Sequence, residues 1–488
     1  MKKKIILCSD GTGNKALKGR GTNVFKLYEA IERKETQLAF YDDGVGTEGF
    51  KPKRLLGGAF GLGLSRNVRE LYAHLVRCYN PGDEIYLFGF SRGAFTVRTL
   101  AGFVLEFGIL DRHQFESDGE MRQCVKGAYK AYRRKYKTWT SFIWSALFSG
   151  WSRLFNKYTD VDAIRKKTLE DGKAKIDFIG VWDTVSAVGF PYKVLADFVD
   201  RVIYKFKFPS NTLSDKVVKA CHAVSIDDKR KTFHPEMWKK CSDNDDRIEQ
   251  VWFAGVHANV GGGYPKQGMS LVSLAWMMKK AHAGGKGIDF NRHDMELYAK
   301  HADVHDKLYD SRAGVAIYYP YAPRDIFKIC QDSGIKPYIH KTVYDRSIIL
   351  TDAYAPGNLP SNMIFVDDDG IPVLEEETRV ITENMGGVTS LLQKVKNWIR
   401  FRQWLQAIFI LLTVAAIYLL YKAYPTQTLL DLINFEASFA VMFEVVVYLF
   451  GSIIVPLFIV YVLSRIARAK IGSVYSKFWY NINKRIGF

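Results

Sequence analysis

An α/β fold with a mostly parallel sheet, a helical insertion and a C-terminal transmembrane hairpin is predicted by three observations. Short apolar runs of strand length alternate with helical stretches, a serine stands on a glycine-flanked corner, and two long apolar segments lie near the end of the chain. The strand-like runs fall at residues 4–8, 38–42, 84–90, 176–182, 222–226 and 248–256, and helical stretches at 23–33, 65–79 and 270–282. Strand alternating with helix puts helices on both faces of a parallel sheet. The start, "MKKKIILCSDGTG", has too short an apolar run for a signal peptide and reads as the first strand. Residues 1–385 are expected to form one catalytic-type domain, with the helical insertion at about 110–172, where the alternation breaks.

The corner lies in "EIYLFGFSRGAFTVRTLAGF", residues 84–103. Ile85 to Phe88 has the character of a buried strand, Ala94 to Phe103 continues as a helix, and Ser91 falls between them. Gly89 and Gly93 complete a G-x-S-x-G pattern, in which a strained turn lifts the hydroxyl clear of the sheet. A serine hydroxyl becomes a nucleophile only when a base takes its proton and an acid orients that base.

In α/β-hydrolases these partners follow the serine in the order acid, then histidine. Asp183 follows the apolar run Ile176 to Trp182 in "KIDFIGVWDTVSAVG", and His257 follows Val251 to Val256 in "IEQVWFAGVHANVGGGY". Both therefore stand at strand ends, where a parallel sheet gathers its active site. A helix N-cap for Asp183 and a structural role for His257 are the competing assignments. The amide of Arg92 is the first candidate oxyanion donor, and Gly11 and Thr12 of "CSDGTGN" are candidates for the second. The same loop lacks the spacing of a nucleotide-binding P-loop.

Taken in order, "SDGTGN", "YDDGVGT", "GFSRGAFTVR", "GVWDTV" and "GVHANVGGGY" resemble the α/β-hydrolase family that includes the catalytic domain of type VI secretion phospholipase effectors, over roughly residues 1–270. The resemblance implies a serine lipase with Ser91 as nucleophile, Asp183 as acid and His257 as base, acting on membrane phospholipid without a cofactor. It departs at Gly13, where the family usually has an aromatic, and at Asn259, where it usually has Asp. An effector would be delivered to a target-cell membrane and have an immunity or secretion partner; a resident enzyme would stay on its own membrane. Hydrolysis of soluble esters or thioesters, and a non-catalytic membrane scaffold, are the other readings open at this point.

The formal net charge of +18 asks for an anionic partner. No nucleic-acid-binding module gathers the basic residues; they flank apolar segments, which points to an anionic membrane surface. Residues 404–424 and 443–464 are each long enough to cross a hydrocarbon core of about 30 Å. A basic amphipathic juxtamembrane helix is expected at 386–402, the hairpin at 403–464 and a basic tail at 465–488. The basic flanks place the hydrolase and both termini on the cytoplasmic side.

"WTSFIWSALFSGWSRLF", residues 139–155, is amphipathic, with Trp139, Trp144 and Trp151 as candidate lid or substrate contacts. A cap helix packed on the core fits the pattern equally. The six cysteines show no C-x-x-C spacing, His301 and His305 lack the H-E-x-x-H arrangement, and "VDDDG" at 366–370 lacks a full calcium loop, so no metal is expected. His222 and His234 are expected near the cleft without assigned chemistry.

Overall fold

The computed structural model describes residues 2–11, 21–44, 63–134, 161–169, 174–185, 211–240, 246–423, 447 and 454–487. Eight strands form one parallel sheet: β1 (Lys4–Ser9), β2 (Gln37–Asp42), β3 (Glu84–Phe90), β4 (Ile176–Trp182), β5 (Val217–Ser225), β6 (Ile248–Phe253), β7 (Tyr338–His340) and β8 (Ile364–Val366). Their spatial order is β2-β1-β3-β4-β5-β6-β7-β8, every pairing parallel. The chain steps outward from β1 to β2, then crosses back to β3 on the other side of β1. That reversal opens a crevice at the carboxyl ends of β1 and β3.

Successive side chains of a strand face opposite ways, and the central strands are apolar on both faces. Ile5, Leu7, Ile85 and Leu87 enter one core with α2 (Leu64–Cys78), α3 (Arg92–Phe107) and α4 (Asp118–Arg134). Ile6, Cys8, Tyr86 and Phe88 enter the other with α1 (Asn23–Ala30) and α6 (Gly268–His282), which follows the short α5 (His257–Gly261). A third cluster lies against β7 and β8, regions whose sequence carried little strand signal. β5 begins at Val217 rather than residue 222 because its first residues alternate buried Val217 with exposed Val218 before the fully buried run.

Two long helices complete the described chain. Only residues 396–402 of the expected juxtamembrane helix are helical, since 386–395 form turns and bends; α7 (Lys396–Ala423) joins them to the first expected span, and Lys396–Leu419 is long and apolar enough to cross a membrane. Of the expected span at 443–464, only Val447 and residues 454–464 lie among the described residues, where α8 (Val455–Ile486) begins. The described residues thus hold one span-length apolar helix. Residues 465–486 continue α8 as helix and dock it on the third cluster. Trp479 is buried there and donates through Nε1 to Pro356 O at 3.0 Å, and Asn483 Nδ2 donates to Ile348 O at 2.6 Å.

The first turns of α7 are fastened to the loop 317–321. Gln406 Nε2 donates to the carbonyls of Ile317 (3.0 Å) and Tyr319 (2.6 Å), and its Oε1 accepts from Tyr321 N at 2.7 Å. Gln403 Nε2 donates to Tyr321 O at 3.0 Å.

Candidate active site

The sharp corner after β3 is made by the backbone. Ser91 has φ 59° and ψ −121°, a conformation that costs on the order of 1–3 kcal/mol for a residue with a side chain. Its N–H donates to Trp182 O at 3.0 Å, tying the corner to the end of β4. The two flanking glycines are required by close approach. A Cβ on Gly93 would lie 2.1 Å from Ser9 O, and one on Gly89 would lie 2.5 Å from Gly93 O. The helix thereby starts directly against β1, with Ser91 at the crevice.

His257 is the first residue of α5, and its ring bridges two side chains far apart in sequence. Nε2 lies 2.8 Å from Ser91 Oγ, and Nδ1 lies 2.6 Å from Asp183 Oδ2. With Asp183 ionised, Nδ1 carries the proton and Nε2 accepts from the serine. The Phe90 ring packs against the imidazole at 4.6 Å between centroids, and Phe233 meets it edge-on at 5.1 Å. Burial pushes the His257 pKa down, a tendency opposed by the hydrogen bond and charge of Asp183, and the net shift is downward. The imidazole is therefore neutral, as a general base must be.

Asp183, also at positive φ (38°), is inaccessible to solvent. Its carboxylate receives Ser225 N at 2.9 Å and Ser225 Oγ at 3.2 Å in addition to the imidazole. Arg324 grips the same carboxylate, donating through Nη1 to Oδ1 at 2.6 Å and through Nη2 to Oδ2, the oxygen bonded by the imidazole, at 2.8 Å. The same nitrogens reach Ser225 O and Phe233 O, both at 2.5 Å. Burial alone would raise the Asp183 pKa; the Arg324 charge and these hydrogen bonds hold it well below the usual carboxylate range. Arg324 was not singled out by sequence: one arginine in "YAPRDIF", 141 residues from its partner, carries no local signal.

The other expected residues fall as follows. Arg92 is the first residue of α3, directly after Ser91. Gly11 N donates to Asp10 Oδ1 at 2.5 Å. Thr12, Trp139, Trp144 and Trp151 lie outside the described residues. His222 Nε2 accepts from Thr184 N at 3.1 Å, bracing the turn after Asp183, and burial pushes its pKa down to about 3, so it is a neutral support. His234 Nε2 donates to Ala322 O at 3.1 Å. His301 bonds Leu297 O (2.8 Å), and His305 bonds Thr351 Oγ1 (2.6 Å). Asp367 accepts from the amides of Asp369 and Ile371, both at 2.9 Å, closing its own turn.

Two motif residues take structural work that their spacing did not disclose. Buried Asp10 accepts from Thr22 Oγ1 at 2.5 Å and Tyr41 Oη at 2.6 Å, joining the loop after β1 to α1 and β2. Asn259 Nδ2 donates to Lys307 O at 3.0 Å, a bond the family's usual Asp cannot make.

Comparison with known proteins agrees with the motif order. The family described as "T6SS, Phospholipase effector Tle1-like, catalytic domain" matches residues 3–280. An uncharacterized protein of Saccharomyces cerevisiae, YEL023C, is 30% identical over 249 residues, covering 47% of this chain. The chain spans about a third of that relative's length, 32%. Among solved structures, ClbQ from the colibactin NRPS/PKS pathway is 9% identical with a TM-score of 0.24, covering 53% of this chain and 91% of its own. The RedJ thioesterase of the prodiginine biosynthetic pathway of Streptomyces coelicolor is 12% identical with a TM-score of 0.23, covering 54% and 85%. The family match takes in β1 to β6, including Ser91, Asp183 and His257, so the chain belongs to the Tle1-like phospholipase effector catalytic-domain family.

Proposed function

We propose that the chain is a membrane-anchored serine lipase that hydrolyses acyl esters of membrane phospholipids. The observation that carries this reading is the unbroken line Ser91 Oγ, His257, Asp183, with hydrogen bonds of 2.8 and 2.6 Å. Ser91 attacks the ester carbonyl as its proton passes to His257 Nε2; the alcohol or lysolipid leaves with that proton; water, deprotonated in turn by His257, releases the fatty acid. Asp183 keeps the ring oriented and compensates the imidazolium. Arg92 N is the first oxyanion donor. Gly11 N must give up its bond to Asp10 to act as the second.

Anchoring is supported by α7, on which Trp404, Leu411, Val414 and Ile417 are each more than half exposed. An apolar stripe of this extent is stable in lipid and costly in water. With the second span at 443–464, the basic residues Arg400, Arg402, Arg465, Arg468 and Lys470 mark the cytoplasmic side, where the catalytic domain and both chain ends then lie. A resident enzyme keeps this arrangement; an effector delivered to another cell would insert in the opposite sense. The test is release of fatty acid and lysolipid from phospholipid vesicles, followed by mass spectrometry. Release by the native chain and none by Ser91→Ala is expected; release from short-chain soluble esters alone would replace lipid as the substrate class.

A further inference from the structure

Beside the catalytic domain, where α7 and α8 leave it, is a second site with different chemistry. A partly open cavity of about 200 Å³ lies between the two helices and the 310–321 segment. Lys229, Arg312, Arg402, Arg465 and Arg468 line it, against the single carboxylate of Asp310. Asp310 is taken by Arg468, at 3.2 Å. Of the other acids of the adjoining cavity, Asp228 pairs with Arg230 at 2.7 Å and Asp352 with Arg346 at 3.5 Å, while Asp227, which holds Gly255 N and Tyr354 Oη, also acts on the charge of Lys229. Four arginines and a lysine therefore converge on two carboxylates, Asp310 and Asp227.

Convergence of like charges is unfavourable unless an anion is bound among them. The guanidiniums of Arg402 and Arg312 lie 4.0 and 5.3 Å from the same Tyr321 ring, and the Nε of each is buried with no hydrogen-bond partner among the described residues. Burial lowers the Lys229 pKa, a shift that a neighbouring anion would reverse. Along the two helices, beyond Arg402 on α7 and before Arg465 on α8, the wall turns apolar, with Phe409, Val460 and Tyr461. A phosphate there has cations on one side and hydrocarbon on the other.

We propose that this cavity binds the phosphodiester headgroup of an anionic phospholipid, its acyl chains lying along α7 and α8. The assignment rests on the reading that these helices stand in a membrane. A lipid is favoured over free phosphate because the apolar wall continues into the exposed apolar faces of both helices. The bound headgroup also touches the active-site wall indirectly. Tyr321 lines the cavity, and Tyr319 two residues away packs edge-on against Phe233 at 5.5 Å between centroids, the ring that abuts His257.

The experiment is thermal unfolding of the full-length Ser91→Ala protein in neutral detergent, titrated with short-chain phosphatidylglycerol, short-chain phosphatidylcholine or inorganic phosphate. Phosphatidylglycerol is expected to raise Tm, with the other two giving little. Arg402→Gln and the surface variant Arg465→Gln should each weaken that response about tenfold, the loss of a charge-assisted hydrogen bond. An equal response to phosphatidylcholine, an equal response to inorganic phosphate, or a response unchanged in both arginine variants overturns the assignment. Because hydrolysis is absent from this assay, the two proposals fail separately. Headgroup binding by a chain whose native form releases no fatty acid keeps the site and removes the lipase; hydrolysis without a headgroup-specific response does the reverse.

Discussion

Arg324 grips Asp183 through two hydrogen bonds of 2.6 and 2.8 Å, and neither side chain is open to solvent. The carboxylate that meets His257 through Oδ2 is thus fixed by a guanidinium that holds both of its oxygens. It is also partly neutralised, so it lends the imidazolium less charge than an acid held by amides alone would. Geometry is secured at some expense of electrostatics.

Arg324→Met is expected to destabilise the fold by about 3–5 kcal/mol, since it leaves a buried carboxylate without its counter-charge. The sign with pH follows from Asp183. Its folded pKa lies below its unfolded value near 4, so the native ion pair stabilises above about pH 4 and that contribution is lost as pH falls toward the folded pKa. In the variant the dependence should turn, with stability declining as pH rises above about 4. Chemical denaturation at several pH values reads the slope directly.

The lowered pKa of His257 places the acid limb of kcat/KM below the ordinary histidine value of about 6.5. Below that limb the imidazole is protonated and turnover falls; above it the rate is level until other groups titrate. Asp183→Asn should reduce kcat by about three to four orders of magnitude while leaving substrate binding largely intact, because the amide favours the wrong imidazole tautomer. Steady-state kinetics across pH 4–9, a range of about five units around the histidine value, separate the two effects.

Gly93→Ala tests the corner. The new methyl meets the backbone oxygens of Ser9 and Asp10, at 2.1 and 2.5 Å, which no rotamer relieves. The expected outcome is a loss of about 1–3 kcal/mol of stability and loss of Ser91 labelling by a fluorophosphonate probe. Full labelling at native stability would show that α3 does not press on β1 as described.

Trp479→Ala removes the largest anchor of α8 on the catalytic domain, a fully buried ring with its N–H bonded to Pro356 O. A loss of about 3–5 kcal/mol is expected. Limited proteolysis should then cut first near the end of α8, whereas an unchanged cleavage pattern would argue against its docking there.

What the sequence disclosed tracks how local its cause was. β1, β3 and β4 are strands of six or seven residues built on apolar runs buried on both faces, and such runs announce themselves. β7 and β8 have three residues each, too few for any period to register, and they exist because the sheet edge receives them. At the site, Ser91, Asp183 and His257 each follow a strand that could be read, and the structure brings them within hydrogen-bonding distance. Arg324 has no such marker; its position is set by the long segment after α6. Asp10 sat in a visible motif, but its bonds to Thr22 and Tyr41 depend on neighbours delivered by α1 and β2.

The fastening of Gln403 and Gln406 to residues 317–321 leaves no swivel between the hydrolase and the helix it stands on. With α7 set in a membrane as proposed, a domain on a loose tether would sweep a hemisphere and meet bonds at every depth, whereas this one would keep a constant height and heading above the surface. On that reading the ester it reached would be decided as much by the depth of that bond in the lipid layer as by the shape of the cleft. Inserting or deleting one residue in α7 just beyond Gln406 would turn the helix by roughly 100° and shift it by about 1.5 Å, so the proposed anchor would double as a ruler.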